Sequence, residues 1–314
     1  MDTSNHRPSP HIAILMGTYN GEAYLSEQLD SIEQQHYPHW TLHVSDDSPT
    51  SGTRKLLETY QQRWGKDKLV IYQGKQQGFA INFMSLVRNQ AIQGHYYAFA
   101  DQDDCWHPEK LQRVVEHLTN QSSSQPLLYT ARTRLVDEQG ALIGYSSLQR
   151  KPPSFQNALV QNIASGNTMV FNQAARDTLL KSPHGEDTGL HDWWFYLLIT
   201  GCGGQVIYDA TPSLDYRQHD QNLIGMKRGL KSLLSRFIHL WQGGHRTQID
   251  RNLEALDAHQ DWLTPHNQAS YQQYRQSRSG NAWQRLVGLR QSRAYRQTWQ
   301  GNVAMLAAAL LNKG

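Results

Sequence analysis

Short apolar runs alternate with amphipathic segments through the first 120 residues. Four runs rich in Ile, Leu, Val and aromatic residues predict buried strands, at 11–16, 40–45, 69–73 and 96–100. Between them, apolar residues recur every three or four positions, which predicts helices at 22–35, 53–64 and 79–92. Strands joined by crossover helices form an open, doubly wound sheet that binds ligands beyond the carboxyl ends of its strands.

The pattern changes after residue 120. Further strands are predicted at 127–137, 142–148, 167–172, 205–209 and 213–219. Residues 191–201 are apolar on nearly all sides, which predicts a buried helix. Three amphipathic helices are then predicted, at 227–241, 247–263 and 282–299. We therefore expect an α/β body over 1–225 and a helical extension over 226–314.

Charge is distributed unevenly between these two parts. Residues 226–314 hold 13 Lys and Arg against 4 Asp and Glu, a net charge of +9. Residues 1–225 hold 17 against 23, a net charge of −6. A basic extension on an acidic body predicts an anionic partner.

Several interpretations of the basic extension stay open. It is either a solvated or packed helical subdomain, or a segment that lies on an anionic membrane surface, where Arg and Trp are favoured. We expect no nucleic acid, because interleaved aromatic and basic residues are weak evidence without a recognisable nucleic-acid-binding fold. In the membrane interpretation, several of Arg285, Arg290, Arg293 and Arg296 would contribute, on helices that include Trp241, Trp262, Trp283 and Trp299.

Two cysteines, Cys105 and Cys202, cannot build a disulfide framework and are expected to be reduced. The amino terminus is polar and lacks the apolar core of a signal peptide. The longest apolar run, 303–311, is too short to span a membrane. These features predict a cytoplasmic protein, with peripheral attachment to the inner face of the membrane as an open alternative.

Three carboxylates crowd into four positions directly after the predicted strand at 96–100. Asp101, Asp103 and Asp104 repel one another unless a cation or a polar partner takes up their charge. Mg²⁺ or Mn²⁺ would do so while still binding diphosphate oxygens. An acidic loop leading into a helix that begins near Pro108 is the alternative.

Four separated motifs, in order, resemble glycosyltransferase family two. MGTYNGEAYLSEQLDSIEQQHYPHWTLHVSDDSPT is similar to the opening signature of that family, and DQDDCWHPEKL to its metal-binding stretch. HDWWFYLLITGCGG and DYRQHDQNLIG resemble the bacterial subgroup of rhamnosyltransferases. The resemblance implies the GT-A fold, a Rossmann-like, doubly wound mixed sheet. It also implies a nucleotide-sugar half over about 11–120 and an acceptor half over about 121–225.

The resemblance assigns the donor side of the site to the strand ends. Thr18, Tyr19 and Asn20 would hold the base and ribose; otherwise they are a turn from strand to helix. Asp47 would accept the imide N–H that uracil and thymine share, which favours UDP or TDP sugars; otherwise it forms an Asx-turn. Asp101 would face the ribose.

The metal and acceptor sides follow from the same resemblance. Asp103 and His219 would hold Mg²⁺ or Mn²⁺, although a lone His is often a surface residue. Asp192 would be the base of an inverting enzyme, with its proton affinity raised by the neighbouring Trp side chains; its alternative role is a helix N-cap. Residues expected on the acceptor side are Gly166, Asn167, Trp193 and Trp194, of which the two Trp are equally suited to the core.

The resulting prediction is a metal-dependent inverting glycosyltransferase. It would transfer rhamnose from dTDP-rhamnose to a cell-surface polysaccharide or a lipid-linked glycan. Another UDP or TDP sugar, or a sugar-nucleotide sensor without turnover, remains an alternative. A dinucleotide-binding oxidoreductase is disfavoured, because MGTYNGE after the first strand does not supply the GxGxxG phosphate turn.

Overall fold

The computed structural model describes residues 9–182, 191–219 and 244–311. The strands of the described residues are β1 (Ile12–Thr18), β2 (Trp40–Asp46), β3 (Leu69–Gln73), β4 (Tyr96–Ala100), β5 (Cys105–Trp106), β6 (Leu127–Ala131), β7 (Arg134–Val136), β8 (Leu142–Tyr145), β9 (Val170–Asn172), β10 (Gln205–Asp209) and β11 (Leu214–Arg217). The first helices are α1 (Leu25–Glu33), α2 (Gly52–Trp64), α3 (Phe79–Arg88), α4 (Lys110–Leu118), α5 (Phe155–Ala158), α6 (Gln173–Leu180) and α7 (His191–Gly201). Four more follow: α8 (Gly244–Asp257), α9 (Pro265–Gln276), α10 (Ala282–Gln291) and α11 (Trp299–Leu310).

The main sheet has seven strands in the order β10-β6-β9-β4-β1-β2-β3. β1 pairs in parallel with β2 and β4, and β2 with β3, as the alternation of strands and helices predicts. β9 is antiparallel to both β4 and β6, which makes the sheet mixed. The predicted fold class is therefore confirmed: a doubly wound mixed α/β sheet followed by helices.

Side chains of β1 alternate between two hydrophobic cores, because successive strand residues point to opposite faces of the sheet. Ala13 and Leu15 pack in the core that contains α7 and much of the carboxyl-terminal helices. Ile12, Ile14 and Met16 pack in the other core, with α1 and α2. Both faces of the sheet are thus covered, which explains why its strands are nearly continuous apolar runs.

A second sheet, in the order β5-β11-β7-β8, lies beyond the end of β4. The single strand predicted over 127–137 is wrong, because β6 and β7 belong to different sheets. The main chain leaves the first sheet at Arg132, whose N–H donates to the Asp209 carbonyl, and Thr133 N–H donates to Ser146 Oγ. The predicted pairing of 142–148 with the preceding segment is confirmed by β8 against β7.

The carboxyl-terminal part differs from the predicted helices in two places. The helix predicted over 282–299 is interrupted between α10 and α11, where Arg293 has a φ of +56°. The Gln-rich helix α9, which begins after the N-cap Thr264, was not predicted because its apolar pattern is weak. No strand occurs within 244–311, whereas the helix predicted at 227–241 lies outside the described residues.

Two of the four arginines expected at a membrane bond to carbonyl groups of the protein instead. Arg285 donates to the carbonyl oxygens of Gly280, Ala309 and Leu310. Arg296 donates to the Val160 carbonyl across 3.0 Å, and burial lowers the pKa of its guanidinium. Both side chains thus join the helices to one another or to the body. Within the described ranges, no helix is long and apolar enough to cross a membrane.

Candidate active site

Three neighbouring strands end at one edge of the main sheet. The register aligns the end of β1 with the end of β2, Thr18 opposite Asp46, and brings β4 alongside with Ala100 opposite Met16. Residues 18–20, 46–48 and 101–104 therefore meet at this edge, as the predicted topology requires.

Thr18 and Asp46 connect the first two strand ends. Thr18 Oγ1 donates to Asp46 Oδ1 across 2.9 Å, and the same oxygen accepts from Ser48 N–H and from Ser48 Oγ. Asn20 has a left-handed φ of +46°, and its N–H donates to Ser48 Oγ. Thr18 is buried in this network, so its side chain holds the two strand ends together.

Gln102, which lies among the carboxylates of 101–104, holds the loop at Tyr19 through two hydrogen bonds. Tyr19 N–H donates to Gln102 Oε1 across 2.9 Å, and Gln102 Nε2 donates back to the Tyr19 carbonyl across 3.0 Å. A Cβ at Gly21 would lie only 2.6 Å from Gln102 Oε1, so glycine permits this approach. The Tyr19 side chain is 58% exposed. The predicted base-binding loop and the carboxylate segment are thus joined by one side chain.

Asp47 is buried at the end of β2 and is held through one oxygen. Its N–H donates to the Thr18 carbonyl, and its Oδ1 accepts from Gln76 N–H across 3.0 Å. A Cβ at Gly74 would lie 1.9 Å from that oxygen, so only glycine fits beside it. Asp47 Oδ1 is thus fixed by the main chain, and its second carboxylate oxygen can also accept hydrogen bonds.

Asp101 and Asp104 are carboxylates whose pKa values are raised by their surroundings. Burial, followed by the charges of Asp103 and Asp192, raises the pKa of Asp101 to about 7. Burial and the charges of Asp101 and Asp103 raise the pKa of Asp104 well above its ordinary value. Groups that are desolvated next to like charges hold protons more tightly. Binding of a cation beside these carboxylates is therefore favourable.

A buried lysine beneath the carboxylates supplies one such cation. Lys110 Nζ donates to the Asn167 carbonyl across 2.8 Å and lies 3.8 Å from the centre of the Trp106 ring. Asn167 Nδ2 donates in turn to Asp104 Oδ2 across 2.7 Å. Burial lowers the pKa of Lys110 to about 7, and the charges of Asp104 and Asp101 oppose that shift.

The amide of Asn167, a residue expected on the acceptor side, bonds to neighbouring protein groups. Asn167 is 2% exposed, and its amide is occupied by Asp104 and by Ser165, whose Oγ donates to Asn167 Oδ1. Gly166 opens the short 3-10 turn, Gly166–Thr168, that presents Asn167 in this way.

His219 reaches Asp103 because of the second sheet. β11 pairs antiparallel with β5, which follows the carboxylates directly, and this pairing carries 217–219 to the end of β4. His219 Nε2 lies 2.8 Å from Asp103 Oδ2, and the imidazole stacks on Tyr24 with ring centres 5.2 Å apart. Arg217 Nε donates to the Asp103 carbonyl across 3.2 Å, and its guanidinium also pairs with Glu27.

Asp103 and His219 suit a divalent cation that takes further ligands from its substrate. Carboxylate oxygens suit Mg²⁺ and Mn²⁺, and an imidazole nitrogen favours the transition ion of the two. Within 9–182, 191–219 and 244–311, no group of three or more His, Cys, Asp or Glu side chains could hold a metal. A cation on this pair would complete its coordination with diphosphate oxygens and water, which is how Mg²⁺ is usually bound.

Asp192 lies in the first turn of α7, near the carboxylates that follow β4. Its Oδ1 accepts from Trp193 N–H across 2.7 Å, and its charge acts on Asp101. Burial raises the pKa of the Tyr216 hydroxyl, and the negative charges of Asp101, Asp104, Asp103 and Asp192 raise it further. The helix begins at His191, so Asp192 lies within its first turn.

Trp193 and Trp194 do not line the crevice. Both indoles are buried in the core, where Trp193 Nε1 donates to the Ala158 carbonyl and Trp194 Nε1 to Ser182 Oγ. Rings enclosed on all sides have no face for a sugar. Both side chains therefore belong to the hydrophobic core, which is the second of the two roles expected for them.

Sequence reasoning missed Lys110 and Gln102. Lys110 shares the buried face of α4 with Leu111, Val114 and Leu118, and a lysine within an apolar stripe is the signal that points to it. Gln102 carries no comparable signal, because its role depends on the spacing between two strand ends.

This geometry agrees with similarities to known proteins. The family model described as Glycosyl transferase family 2 matches residues 13–176, which is more than half of the chain. The dTDP-rhamnosyl transferase RfbG of Shigella flexneri is 26% identical over 257 residues, covering 77% of this chain and 84% of that protein. TuaG of Bacillus subtilis, named for teichuronic acid biosynthesis, is 32% identical over 116 residues, covering 36% of this chain and 44% of its own length.

Solved structures share the fold. TarS 1–349 of S. aureus in complex with UDP-GlcNAc has a TM-score of 0.54 at 15% identity, covering 90% of this chain and 89% of that one. The mannosyltransferase PcManGT of Pyrobaculum calidifontis, in complex with GDP-Man and Mn²⁺, has a TM-score of 0.55 at 16% identity, covering 98% and 87%. Both are GT-A glycosyltransferases. With the family match spanning all three strand ends that carry the crevice, the chain is a glycosyltransferase and belongs to glycosyl transferase family 2.

Proposed function

We propose that the protein is a metal-dependent inverting glycosyltransferase that transfers rhamnose from dTDP-rhamnose. The acceptor in this proposal is a cell-surface polysaccharide or a lipid-linked glycan. The observation that carries it is the position of Asp192 in the first turn of α7, near enough to Asp101 at the end of β4 for its charge to raise the pKa of that carboxylate. A candidate base and the candidate donor-side carboxylates therefore adjoin the same space.

The donor end of the proposal rests on Asp47 and the loop at Tyr19. Asp47 Oδ2 accepts the imide N–H of thymine or uracil, while Gln76 N–H keeps Oδ1 in place. Tyr19 and Asn20 border the base, and Asp101 faces the ribose. The similarity to a dTDP-rhamnosyl transferase supports the rhamnosyl donor. A UDP sugar is the alternative, supported by the TarS complex with UDP-GlcNAc.

In the proposed reaction, Asp192 takes the proton from an acceptor hydroxyl as its oxygen attacks the anomeric carbon in line. The bond from that carbon to the diphosphate oxygen breaks, and its electron pair leaves with dTDP, so the anomeric configuration inverts. General-base catalysis of this kind contributes about 10²–10⁴-fold. Held by Asp103 and His219, Mg²⁺ or Mn²⁺ would neutralise charge on the leaving diphosphate. Mn²⁺ accompanies GDP-Man in the PcManGT complex, which supports a divalent ion.

The organisation of the chain follows from this assignment. Residues 11–120 form the nucleotide-sugar half, 121–225 the acceptor half and 226–314 a basic extension. We infer a cytoplasmic location with peripheral attachment to an anionic membrane, where a lipid-linked acceptor is presented. Free Cys105 and Cys202 agree with a reducing compartment, and burial raises the pKa of Cys202 to about 11, which keeps its thiol protonated.

A donor screen tests the proposal. Purified protein with Mn²⁺ is given dTDP-rhamnose, UDP-GlcNAc, other UDP and TDP sugars and GDP-Man in turn, and release of the nucleoside diphosphate is measured with a glycan acceptor. Release from dTDP-rhamnose above all others is the expected result. Release from another donor rejects the rhamnosyl assignment but keeps the enzyme. Binding of donors with no release under any condition supports the sensor.

A further inference from the structure

Helix α11 exposes an apolar stripe. Trp299, Val303, Leu306 and Leu310 lie at helical spacings of four, three and four residues, which places them on one face. They are 71%, 55%, 44% and 48% exposed, and Leu311 at the end of the helix is 64% exposed. The helix contains no charged residue from its first position to its last. An exposed apolar stripe of this length marks an interaction surface.

The stripe belongs to a two-helix unit that is anchored on the body. Arg285 Nε in α10 donates to the Ala309 carbonyl across 2.5 Å, so the first turn of α10 lies beside the last turn of α11. Between these helices, Gln297 accepts from the main chain of Lys151 across 2.9 Å, and Tyr295 donates to the Pro152 carbonyl across 2.6 Å. The exposed face is therefore held in place rather than carried on a free tail.

α10 adds an aromatic and a basic residue to the exposed surface. Trp283 is 73% exposed, and Arg290 lies two turns later on the same side of the helix. Arg290 and Arg293 are exposed and form no ion pair with any residue in the part of the chain that the structure describes. By contrast, Arg275 pairs with Asp257 and Arg278 with Asp250.

The sequence around this unit lacks negative charge altogether. Residues 262–314 contain seven Lys and Arg and no Asp or Glu. An anionic lipid surface binds unpaired cations, aromatic side chains at its interface and aliphatic side chains below them. Trp in particular favours the boundary between lipid headgroups and acyl chains.

We propose that this apolar face, formed by Trp283, Trp299, Val303, Leu306, Leu310 and Leu311, inserts into the surface of an anionic phospholipid bilayer. The inference rests on the proposed function, because the membrane contact would hold the enzyme where a lipid-linked acceptor lies. It narrows the membrane contact from the whole basic extension to α10 and α11. Arg290 and Arg293 provide the attraction to lipid headgroups.

A second copy of the chain is the competing occupant. A two-fold contact places the same surface of both copies together. Here such a contact would bring the exposed Arg290 and Arg293 of one copy towards the same two residues of the other, which is unfavourable. The charge therefore favours an anionic surface over self-association.

Vesicle sedimentation tests the inference on the full chain, without donor, metal or acceptor. The vesicles contain equal parts of phosphatidylglycerol and phosphatidylcholine, and phosphatidylcholine alone serves as the neutral comparison. We expect wild type to bind the anionic vesicles, with affinity falling as salt rises from about 0.05 to 0.5 M. The double variant Val303→Glu/Leu306→Glu should bind about tenfold or more weakly, because it puts charge on the inserting face.

Leu142→Glu is the matched control, because Leu142 on β8 is also 55% exposed but lies outside the face. It should bind as wild type does, and unchanged thermal unfolding of all variants shows that they fold. Arg290→Gln/Arg293→Gln should lose most of the salt dependence while retaining the folded state.

Three results would overturn the inference. In the first, wild type does not bind anionic vesicles at low salt. In the second, wild type and the Val303/Leu306 variant bind vesicles equally well. In the third, wild type is a dimer that does not bind vesicles, and the Val303/Leu306 variant is a monomer. A chain that releases nucleoside diphosphate in the donor screen but ignores vesicles rejects only this inference. A chain that binds vesicles but releases nothing from any donor rejects only the proposed function.

Discussion

Lys110 Nζ lies 2.8 Å from the carbonyl oxygen of Asn167, directly beneath the carboxylates that end β4. The Asn167 amide continues the chain of contacts to Asp104. A crowded set of carboxylates requires positive charge nearby, and the fold supplies part of it from its own α4. Asp103, in contrast, faces outward to His219. The inner carboxylate, Asp104, is thus bonded to the protein through Oδ2, while its buried Oδ1 has no hydrogen-bond partner among the described residues; the outer one, Asp103, is partly exposed beside His219.

Lys110→Met should destabilise the protein. Removing one member of a buried charged group leaves the others unpaired, which costs about 3–5 kcal/mol. The free energy of unfolding, measured by urea denaturation, should fall by an amount of that order. Lys55→Met, at an exposed position of α2, should change it little. Equal unfolding midpoints for wild type and Lys110→Met would show that Lys110 does not compensate the carboxylates.

The strand ends were predictable from the sequence because two local rules determine them. Apolar runs and helical spacing located β1 to β4, and the parallel topology then required Thr18, Asp46 and Asp101 to meet. No long-range information was needed. The same reasoning identified α7 at 191–201, since a segment that is apolar on all sides is buried.

What the sequence could not supply depends on contacts between distant segments. Lys110 and Asn167 are 57 positions apart, and nothing in either segment indicates that they meet. The division of 127–137 between two sheets depends on partners far away in sequence, because β6 pairs with β10 whereas β7 pairs with β11. Arg285 appeared to be a solvent-facing cation because its acceptors, the last carbonyls of α11, belong to a neighbouring helix.

Gln102→Ala should weaken donor binding while leaving the chemical step nearly unchanged. Its side chain makes two hydrogen bonds to the main chain of Tyr19, each worth about 0.5–1.5 kcal/mol. We expect the KM for the donor to rise about fivefold to a hundredfold, with kcat within about twofold. Steady-state kinetics with varied donor measure both. A fall in kcat at unchanged KM would assign Gln102 to the reaction step instead of to positioning.

His43 should make stability depend on pH. Burial, with smaller contributions from His11 and Arg176, lowers the pKa of His43 to about 4. Between pH 6.5 and 4, His43 binds a proton in the unfolded chain but not in the folded chain. The free energy of unfolding therefore falls as pH falls through this window. Wild type should lose about 2 kcal/mol more than His43→Gln between pH 7 and pH 5. Urea denaturation at both pH values measures the difference, and His36→Gln, at an exposed position, should behave as wild type does.

Asp103→Ala should remove metal-dependent transfer without unfolding the protein. Asp103 is partly exposed and its Oδ2 faces His219, so the variant loses a proposed ligand and little packing. We expect transfer to fall by about 10²-fold or more and Mn²⁺ to stop enhancing donor binding in calorimetry. His219→Gln should have the same effect in weaker form, whereas Asp67→Ala, at an exposed position, should have none. Full transfer by wild type in excess chelator would exclude the proposed metal.

Asp192→Asn should bind donor normally and lose transfer. Asn preserves the size of the side chain and its ability to accept from Trp193 N–H, but it cannot take a proton at neutral pH. Loss of a general base costs about 10²–10⁴-fold, so kcat should fall by that factor at an unchanged donor Kd. Asp261→Asn, at an exposed position near α9, is the control for the chemical change. If Asp192 only stabilises the first turn of α7, Asn should replace it well. Transfer by Asp192→Asn near the wild-type rate would therefore support this structural role and exclude the general base.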